Sequence, residues 1–194
     1  TLRRALEVLQ VKGLIYTKPS SGMYVAEAKL VRTSDVTSLS EVMRHRGAHP
    51  RSTIHLADKV KASVDVAQAL EVEVDHPVYR IEQTFYDNET PLATETSYVN
   101  AELARGLLDL DLTQSLSLIL KESFENPIVR VRYRVRAVIP PERFLNRLNV
   151  SDHSPVLEFC ARGVTKRDRV IFYVVSFKRG DKYDLAYEIE VEEP

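Results

Sequence analysis

The sequence contains one cysteine, Cys160, no tryptophan and only six glycines among 194 residues. A single cysteine cannot form an internal disulfide, so a reducing cytoplasm fits the chain best. No apolar run approaches the roughly 20 residues that a membrane-spanning helix needs. The chain also does not open with the basic, apolar and small-residue pattern of a signal peptide. These absences predict a cytoplasmic protein with no membrane partner.

Signatures of common catalytic and metal chemistry are also missing. The five histidines have no metal-ligand spacing and no cysteine partners; they are His45, His49, His55, His76 and His153. There is no P-loop, dinucleotide fingerprint or nucleophile elbow. Cys160 lies in the apolar run 156–161, which is typical of a buried strand and favours a structural thiol over a nucleophile. We therefore expect no catalytic residue, no metal and no cofactor.

The charge distribution is uneven, although the net charge is only −1. Residues 1–26 contain four basic side chains and one acidic side chain, so they carry +3 and the remainder carries −4. This asymmetry predicts that a polyanion binds at the N-terminal end. The chain begins at Thr1, inside a helical pattern and without an initiator methionine, and either a truncated chain or a disordered start would account for this.

The first 26 residues predict a helix followed by a hairpin. Apolar residues recur at helical spacing from Leu2 to Leu14, and Gly13 can end the helix. Short β-type runs at 14–16 and 23–25 flank a turn that contains Pro19 and Gly22. A helix that ends at glycine and is followed by a hairpin with a basic, polar tip is the second half of a winged helix-turn-helix.

The remaining chain predicts an α+β domain with an antiparallel sheet and short flanking helices. Residues 27–37 are polar and aperiodic, so we interpret them as a linker. We expect helices at about 38–46, from Ser63 to about 70, and at about 114–122, with Ser38, Ser63 and Thr113 at their N-termini. We expect strands at 52–61, 128–138 and about 185–191.

An internal repeat links the two halves of this domain. The pattern from Leu70 to Val78, with Val72 and Pro77, recurs 78 residues later from Leu148 to Val156. Each copy has a helix, at about 63–70 or 141–148, then a turn and a predicted hairpin. The similarity is either coincidence among common units or the mark of a pseudo-symmetric domain. In a pseudo-symmetric domain both hairpins would join one sheet and leave a cleft between the halves.

The segment from Thr1 to Tyr16 resembles the recognition helix of the GntR superfamily of bacterial regulators, and residues 20–25 resemble its wing, with Ser20 in place of one wing glycine. The resemblance implies that this segment contacts operator DNA. The implied contacts are Thr1, Arg3, Arg4, Lys18, Ser20, Ser21 and Gly22. The alternative is that Arg3 and Arg4 are merely solvated on a helix surface.

Residues from about Ser38 to Val191 resemble the UTRA effector-binding domain of the HutC subfamily. The resemblance rests on patterns in order along the chain, including Pro77-Val78, Glu95-x-x-Tyr98 and Arg179-Gly180-Asp181. It implies a chorismate-lyase-like fold, a small-molecule effector between the halves and a homodimer. The expected organisation is thus 1–26 winged-helix fragment, 27–37 linker and 38–194 UTRA domain. The alternatives are a small-molecule enzyme of that fold and a ligand-binding module without a DNA role.

The same resemblance suggests which residues bind the effector. Members that sense sugar phosphates place basic residues at the positions of Gln83 and Phe85 and a glutamate at that of Phe172, so this chain lacks charges that would hold a phosphate or a polar sugar. The implied polar contacts are Ser52, Gln83, Glu95, Tyr98, Ser115 and Ser117, and the implied apolar walls are Phe85 and Phe172. Core packing of the two phenylalanines is an equal alternative.

Four arginines alternate along the strand predicted at 128–138. Arg130, Arg132, Arg134 and Arg136 share one face, because side chains two residues apart on a strand point the same way. This face either binds an anion or is solvated and paired with neighbouring acids, and we favour the second interpretation.

Overall fold

The computed structural model describes residues 2–11, 15–18, 22–25, 30–32 and 50–185. Helix α1 spans Leu2–Val11, and the strands β1 (Ile15–Lys18) and β2 (Gly22–Val25) form an antiparallel hairpin. The predicted helix and hairpin are therefore confirmed. Within the described ranges, no helix is long and apolar enough to cross a membrane.

The larger part of the chain combines short helices with long strands. The helices are α2 (Val64–Leu70), α3 (Leu116–Ser123) and α4 (Glu142–Leu148), with a 3-10 turn at Leu107–Asp109. The strands are β3 (Leu30–Arg32), β4 (Pro50–Lys61), β5 (Pro77–Asp87), β6 (Thr90–Asn100), β7 (Ile128–Val138), β8 (Val156–Thr165), β9 (Val170–Arg179) and β10 (Tyr183–Leu185).

Six of these strands form one antiparallel sheet in the order β4-β5-β6-β9-β8-β7. The two hairpins, β5–β6 and β8–β9, meet through their second strands, with Glu95 opposite Ser176 at the junction. Both hairpins thus belong to one sheet, as the repeat predicts. The α+β architecture is confirmed.

The repeated unit is larger than the sequence pattern predicts, because it begins one strand earlier. Strand β4 starts at Pro50 and β7 starts at Ile128, again 78 residues apart. Each unit is therefore strand, helix, hairpin. The helices end at left-handed residues 78 apart, Glu71 and Asn149. The register irregularities also correspond, since they follow Phe85 in β5 and Gly163 in β8.

Equivalent residues of the two units build two apolar clusters on one face of the sheet. Val60, Leu70, Val72 and Val78 pack with α2, and Val138, Leu148, Val150 and Val156, each 78 residues later, pack with α4. The α2 cluster also includes residues of the second unit, such as Val170, whereas the α4 cluster is built from the second unit alone. We call the face covered by α2 and α4 the two-helix face.

The opposite face is covered by residues 101–124, which include the 3-10 turn and α3. Leu107, Leu112 and Leu120 from this segment pack on Ile81 and Val99 of the sheet. We call this the α3 face. Burying apolar side chains on both faces removes them from water, which is the main favourable term in folding.

Four details differ from the sequence-based expectations or lie outside the described residues. The N-cap of α3 is Ser115, whose side chain accepts a hydrogen bond from the Leu118 amide, and not Thr113. Thr113 donates its amide and hydroxyl to Asp111 instead. Within the predicted linker, Leu30–Arg32 forms strand β3, which pairs in parallel with β10. The helix predicted at 38–46 lies outside the described residues, as does the part of the predicted final strand beyond Leu185.

Candidate functional site

A row of polar side chains crosses the α3 face at the junction of the two units. Gln83 in β5 lies opposite Glu95 in β6, and Glu95 lies opposite Ser176 in β9. Directly opposed residues of an antiparallel sheet point to the same face, so the three side chains are neighbours. The row lies at the junction of the repeats, where the pseudo-symmetry predicts a cleft.

Two members of this row are buried without the hydrogen bonds that buried polar groups normally make. Gln83 is 3% exposed and Ser176 is 2% exposed. Within the described part of the chain, Gln83 Oε1 and Ser176 Oγ have no hydrogen-bond partner. Between them, Glu95 is partly exposed, and its Oε1 accepts a hydrogen bond of 3.1 Å from Ser97 Oγ. An unpartnered buried oxygen is costly, so these atoms offer hydrogen-bonding capacity to a bound molecule.

The start of α3 supplies a second group of hydroxyls. Ser115 caps the helix, and its Oγ lies 3.0 Å from Ser117 Oγ. Ser52, on the strand beside β5, donates to the carbonyl of Thr113 at 3.4 Å and so fixes the approach to α3. Ser52 lies opposite Phe85 in the β4–β5 pair. Its hydrogen bond therefore places Thr113, just before α3, beside these two strands and next to the polar row. Hydrogen bonds from Thr113 and Gln114 lower the pKa of Asp111, so its charged form holds this turn.

The two proposed apolar walls are core residues. Phe85 is 6% exposed and packs with Leu92, Phe159 and Tyr183. Phe172 is 7% exposed, and its ring lies over Gly163, where an added Cβ would come within 2.2 Å of the ring. In this structure both rings therefore pack against protein on the α3 face, which matches the core-packing alternative.

Tyr98 does not join the other candidate residues, and its assignment to the same site is a correction. It lies opposite Arg80 and Tyr173, on the two-helix face, because its position alternates with those of Glu95 and Val99. There its ring stacks on Tyr173, with centroids 6.2 Å apart, against the α2 cluster. The sheet separates Tyr98 from the polar row.

Two residues on β9 were missed from sequence alone. Ser176 and Lys178 lie four and six residues after Phe172. An even separation places side chains on the same face of a strand, so all three share one face. Lys178 is 3% exposed, and its Nζ lies 4.3 Å from the centre of the Phe159 ring and 4.4 Å from that of Tyr183. Such stacking favours the charged ammonium. The resemblance supplied Phe172, and the two-residue alternation of a strand, counted from Phe172, could have identified both residues.

The four arginines of β7 lie on the two-helix face, and two of them are paired with acids as expected. Arg130 forms an ion pair of 2.7 Å with Asp168, and Arg136 bonds Glu158, which confirms the solvated and paired interpretation for these two. Arg132 lies opposite Arg162, and Arg134 lies opposite Cys160. Cys160 is free and buried, as predicted for a structural thiol.

The N-terminal segment carries the residues predicted to contact DNA. Arg3 and Arg4 lie on α1, where the Arg4 side chain is exposed. Lys18 pairs with Gly22 at the end of the β1–β2 hairpin, and Gly22 has a φ of 107°, which favours glycine. Thr1, Ser20 and Ser21 lie outside the described residues. The candidates among the described residues therefore lie in the predicted helix and hairpin.

Known proteins resemble both parts of this chain. The family model described as UTRA domain matches residues 45–184. The HTH-type transcriptional repressor NagR of Bacillus subtilis is 24% identical over 191 residues, covering 98% of this chain and 79% of that protein. The histidine utilization repressor of Pseudomonas aeruginosa is 30% identical over 115 residues, covering 59% of this chain and 46% of that protein.

Solved structures show the same fold. The crystal structure of PhnF from Mycobacterium smegmatis aligns with a TM-score of 0.86 at 20% identity, covering 98% of this chain and 84% of that chain. The alignment therefore extends over the N-terminal helix and hairpin as well as the six-stranded sheet.

Proposed function

Because the chain belongs to the UTRA-domain family of GntR-type, HutC-like transcription regulators, we propose that its effector binds against the Gln83–Glu95–Ser176 row on the α3 face. The chain is a ligand-responsive transcription regulator. The alternative of a small-molecule enzyme is wrong, since the relatives are regulators.

The observation that carries the proposed site is the pair of unpartnered buried oxygens, Gln83 Oε1 and Ser176 Oγ, on either side of Glu95. Two of these three side chains offer a carbonyl or carboxylate oxygen that accepts hydrogen bonds. The ligand that suits them is a small polar metabolite with hydroxyl or amino donors. A phosphate directed at this row would face the Glu95 carboxylate. Ser52, Ser115 and Ser117 would complete the polar contacts.

A ligand screen tests this assignment. We would measure melting temperatures with amino acids, amino sugars, polyols and the phosphate ester glucose 6-phosphate, because a molecule that binds only the folded state raises the melting temperature. Any compound that stabilises the wild type is then titrated into Glu95→Gln. We expect affinity to fall about tenfold, as for a lost charge-assisted hydrogen bond. Equal affinity for both proteins would place the ligand elsewhere.

For the DNA-binding end, we propose that α1 and the hairpin contact operator DNA through Thr1, Arg3, Arg4, Lys18, Ser20, Ser21 and Gly22. Arginines at the start of a helix can reach phosphates and base edges, and a glycine allows the hairpin to approach the backbone closely. In the complete protein, replacing Arg3 and Arg4 together by alanine should abolish operator binding at physiological salt. Unchanged affinity would remove this assignment.

We also propose that the protein acts as a homodimer in the cytoplasm. A two-fold dimer presents two DNA-binding heads to a palindromic site, and an effector that alters their spacing changes the affinity. Sedimentation equilibrium of the complete protein measures its molar mass and so tests this proposal. The mass of a monomer at every micromolar concentration would exclude the dimer.

A further inference from the structure

A groove on the two-helix face is a second candidate site, separate from the effector row. It has a volume of 380 Å³ and lies between α2 and the strands β7, β8 and β9. This volume is within the range of small-molecule pockets. We call it the arginine groove, because Arg132, Arg134 and Arg162 line it together with Cys160, Tyr173 and Asp65. The effector row lies on the opposite face of the sheet.

Two of the three arginines lack an acidic partner. Within the described residues, Arg132 forms no hydrogen bond or ion pair, while Arg130 and Arg136 on the same strand are both paired with acids. Among the described residues, Arg134 donates one hydrogen bond, of 3.7 Å, to the sulfur of Cys160, which is a weak acceptor. Most of the guanidinium donors of these two residues therefore have no acceptor in the part of the chain that the structure describes.

The arrangement also places like charges together. Arg132 is directly opposite Arg162 in the β7–β8 pair, and like charges at directly opposed positions destabilise a sheet. Arg162 is offset by Glu71 at 3.5 Å, and Arg134 is attracted by Glu158, which is itself paired with Arg136, so Arg132 has the least compensated charge. Asp65, on the first turn of α2, is the acid among the lining residues, so cations outnumber acids there by three to one.

The floor of the groove adds a neutral donor. Tyrosine is protonated at neutral pH at its ordinary pKa of 10.0, and burial raises the pKa of Tyr173 further, to about 12. A neutral hydroxyl can donate a hydrogen bond to an anion, whereas a phenolate would repel it.

We propose that the arginine groove binds a small metabolite through a phosphate group, at a site distinct from the effector row. The planar guanidinium matches the oxygens of a phosphate, and Arg132, Arg134 and Arg162 can contact different oxygens of the same tetrahedral group. A bound phosphate would neutralise the like-charge pair of Arg132 and Arg162.

Calorimetric titration of this chain with inorganic phosphate and with glucose 6-phosphate, at constant ionic strength set with sodium chloride, tests the proposal. We expect saturable binding with a Kd of about 1 mM or tighter. Replacing Arg132 and Arg134 together by alanine should weaken it at least about tenfold. The matched control replaces Arg130 and Arg136, which should leave Kd within about twofold because both arginines are already paired with acids.

Either of two results overturns the proposal. One is the absence of saturable binding up to about 10 mM, and the other is an equal loss in both double variants, which reports diffuse surface charge. All four arginines are exposed, so the variants should fold, and far-UV circular dichroism checks this. Ser176→Ala should not alter phosphate binding, so failure of this site and failure of the effector row are distinguishable.

Discussion

Gln83 and Ser176 flank Glu95 on neighbouring strands, and both bury an oxygen for which the described residues provide no partner. A buried polar atom without a hydrogen bond costs about 1–3 kcal/mol. Such a cost needs an explanation, and on the proposed assignment it is ligand binding rather than folding that explains these two side chains. The polar row differs in this respect from Phe85 and Phe172, whose rings are accounted for by core packing.

Ser176→Ala tests this difference. Because Ser176 Oγ has no hydrogen-bond partner among the described residues, we expect the free energy of unfolding to stay the same or rise by about 1 kcal/mol, while affinity for the effector falls. Urea unfolding measures the stability. The matched control is Thr165→Val, since Thr165 is also 2% exposed but accepts a hydrogen bond from the Arg169 amide. The control should lose about 1 kcal/mol. A similar loss in Ser176→Ala would show that Ser176 has a structural role.

Gly163 is required for space and not for backbone conformation. A Cβ at this position would lie 2.2 Å from the Phe172 ring, so Gly163→Ala should destabilise the chain by about 1–3 kcal/mol through overpacking. Adding Phe172→Leu should recover part of the loss, because the two sites are in contact and their effects are not additive. Thermal unfolding of the two single variants and the double variant measures this, and full additivity would contradict the close contact.

Helices and strands with strong periodicity were predictable from the sequence. The strands that pair with them from distant parts of the chain were not. The alternation along β7 and the apolar spacing of α1 are local signals, so the sequence located both. The sequence predicted Thr113 as the cap of α3, but Ser115, two residues later, accepts the hydrogen bond from the helix amide, and the sequence does not show which hydroxyl does so. The parallel pairing of β3 with β10 joins residues about 150 positions apart. No local pattern predicts such a pairing.

The misplacement of Tyr98, by contrast, could have been avoided from the sequence. Its position relative to Glu95 already assigns the two side chains to different faces of a strand, because an odd separation reverses the direction. Applying the same parity to β9 would have added Ser176 and Lys178 to the candidate residues. Once the strands were known, the sequence was therefore enough to predict which candidate residues share a face. The burial of individual polar atoms could be determined only from the structure.

Helix α4 is held to the first repeat unit by an ionic network. Glu82 in β5 is 5% exposed and pairs with Arg147 of α4 at 2.7 Å and with Arg80. Burial alone would raise the pKa of Glu82, but hydrogen bonds from Arg147 and Arg80 outweigh it and lower the pKa. The carboxylate thus contributes stability above the ordinary glutamate pKa of about 4.5, and this contribution is lost as the pH falls through the lowered pKa.

Glu82→Gln should therefore destabilise the chain by about 1–3 kcal/mol at pH 7 and by progressively less in acid. Urea unfolding of both proteins between pH 7 and pH 3 measures the difference. A difference that stays constant over this range would show that the charge of Glu82 is not responsible.

Across the whole molecule, two copies of a strand–helix–hairpin unit form one sheet with two dissimilar faces. The polar row lies where the units meet on the α3 face, and the α2 cluster on the other face joins residues of both units. A ligand held at the junction can therefore bias how the units pack. The N-terminal helix and hairpin would transmit that bias to DNA in a regulator of this family.

The most direct test uses the complete protein, an operator selected from random duplex DNA and a compound from the ligand screen. Operator affinity is measured with and without that compound for the wild type and for Glu95→Gln. We predict that the compound changes wild-type affinity by about 5-fold to 150-fold, the usual range of coupling between sites, and changes that of Glu95→Gln much less at the same concentration. An equal change in both proteins, or no change in the wild type, would contradict effector control through the Gln83–Glu95–Ser176 row.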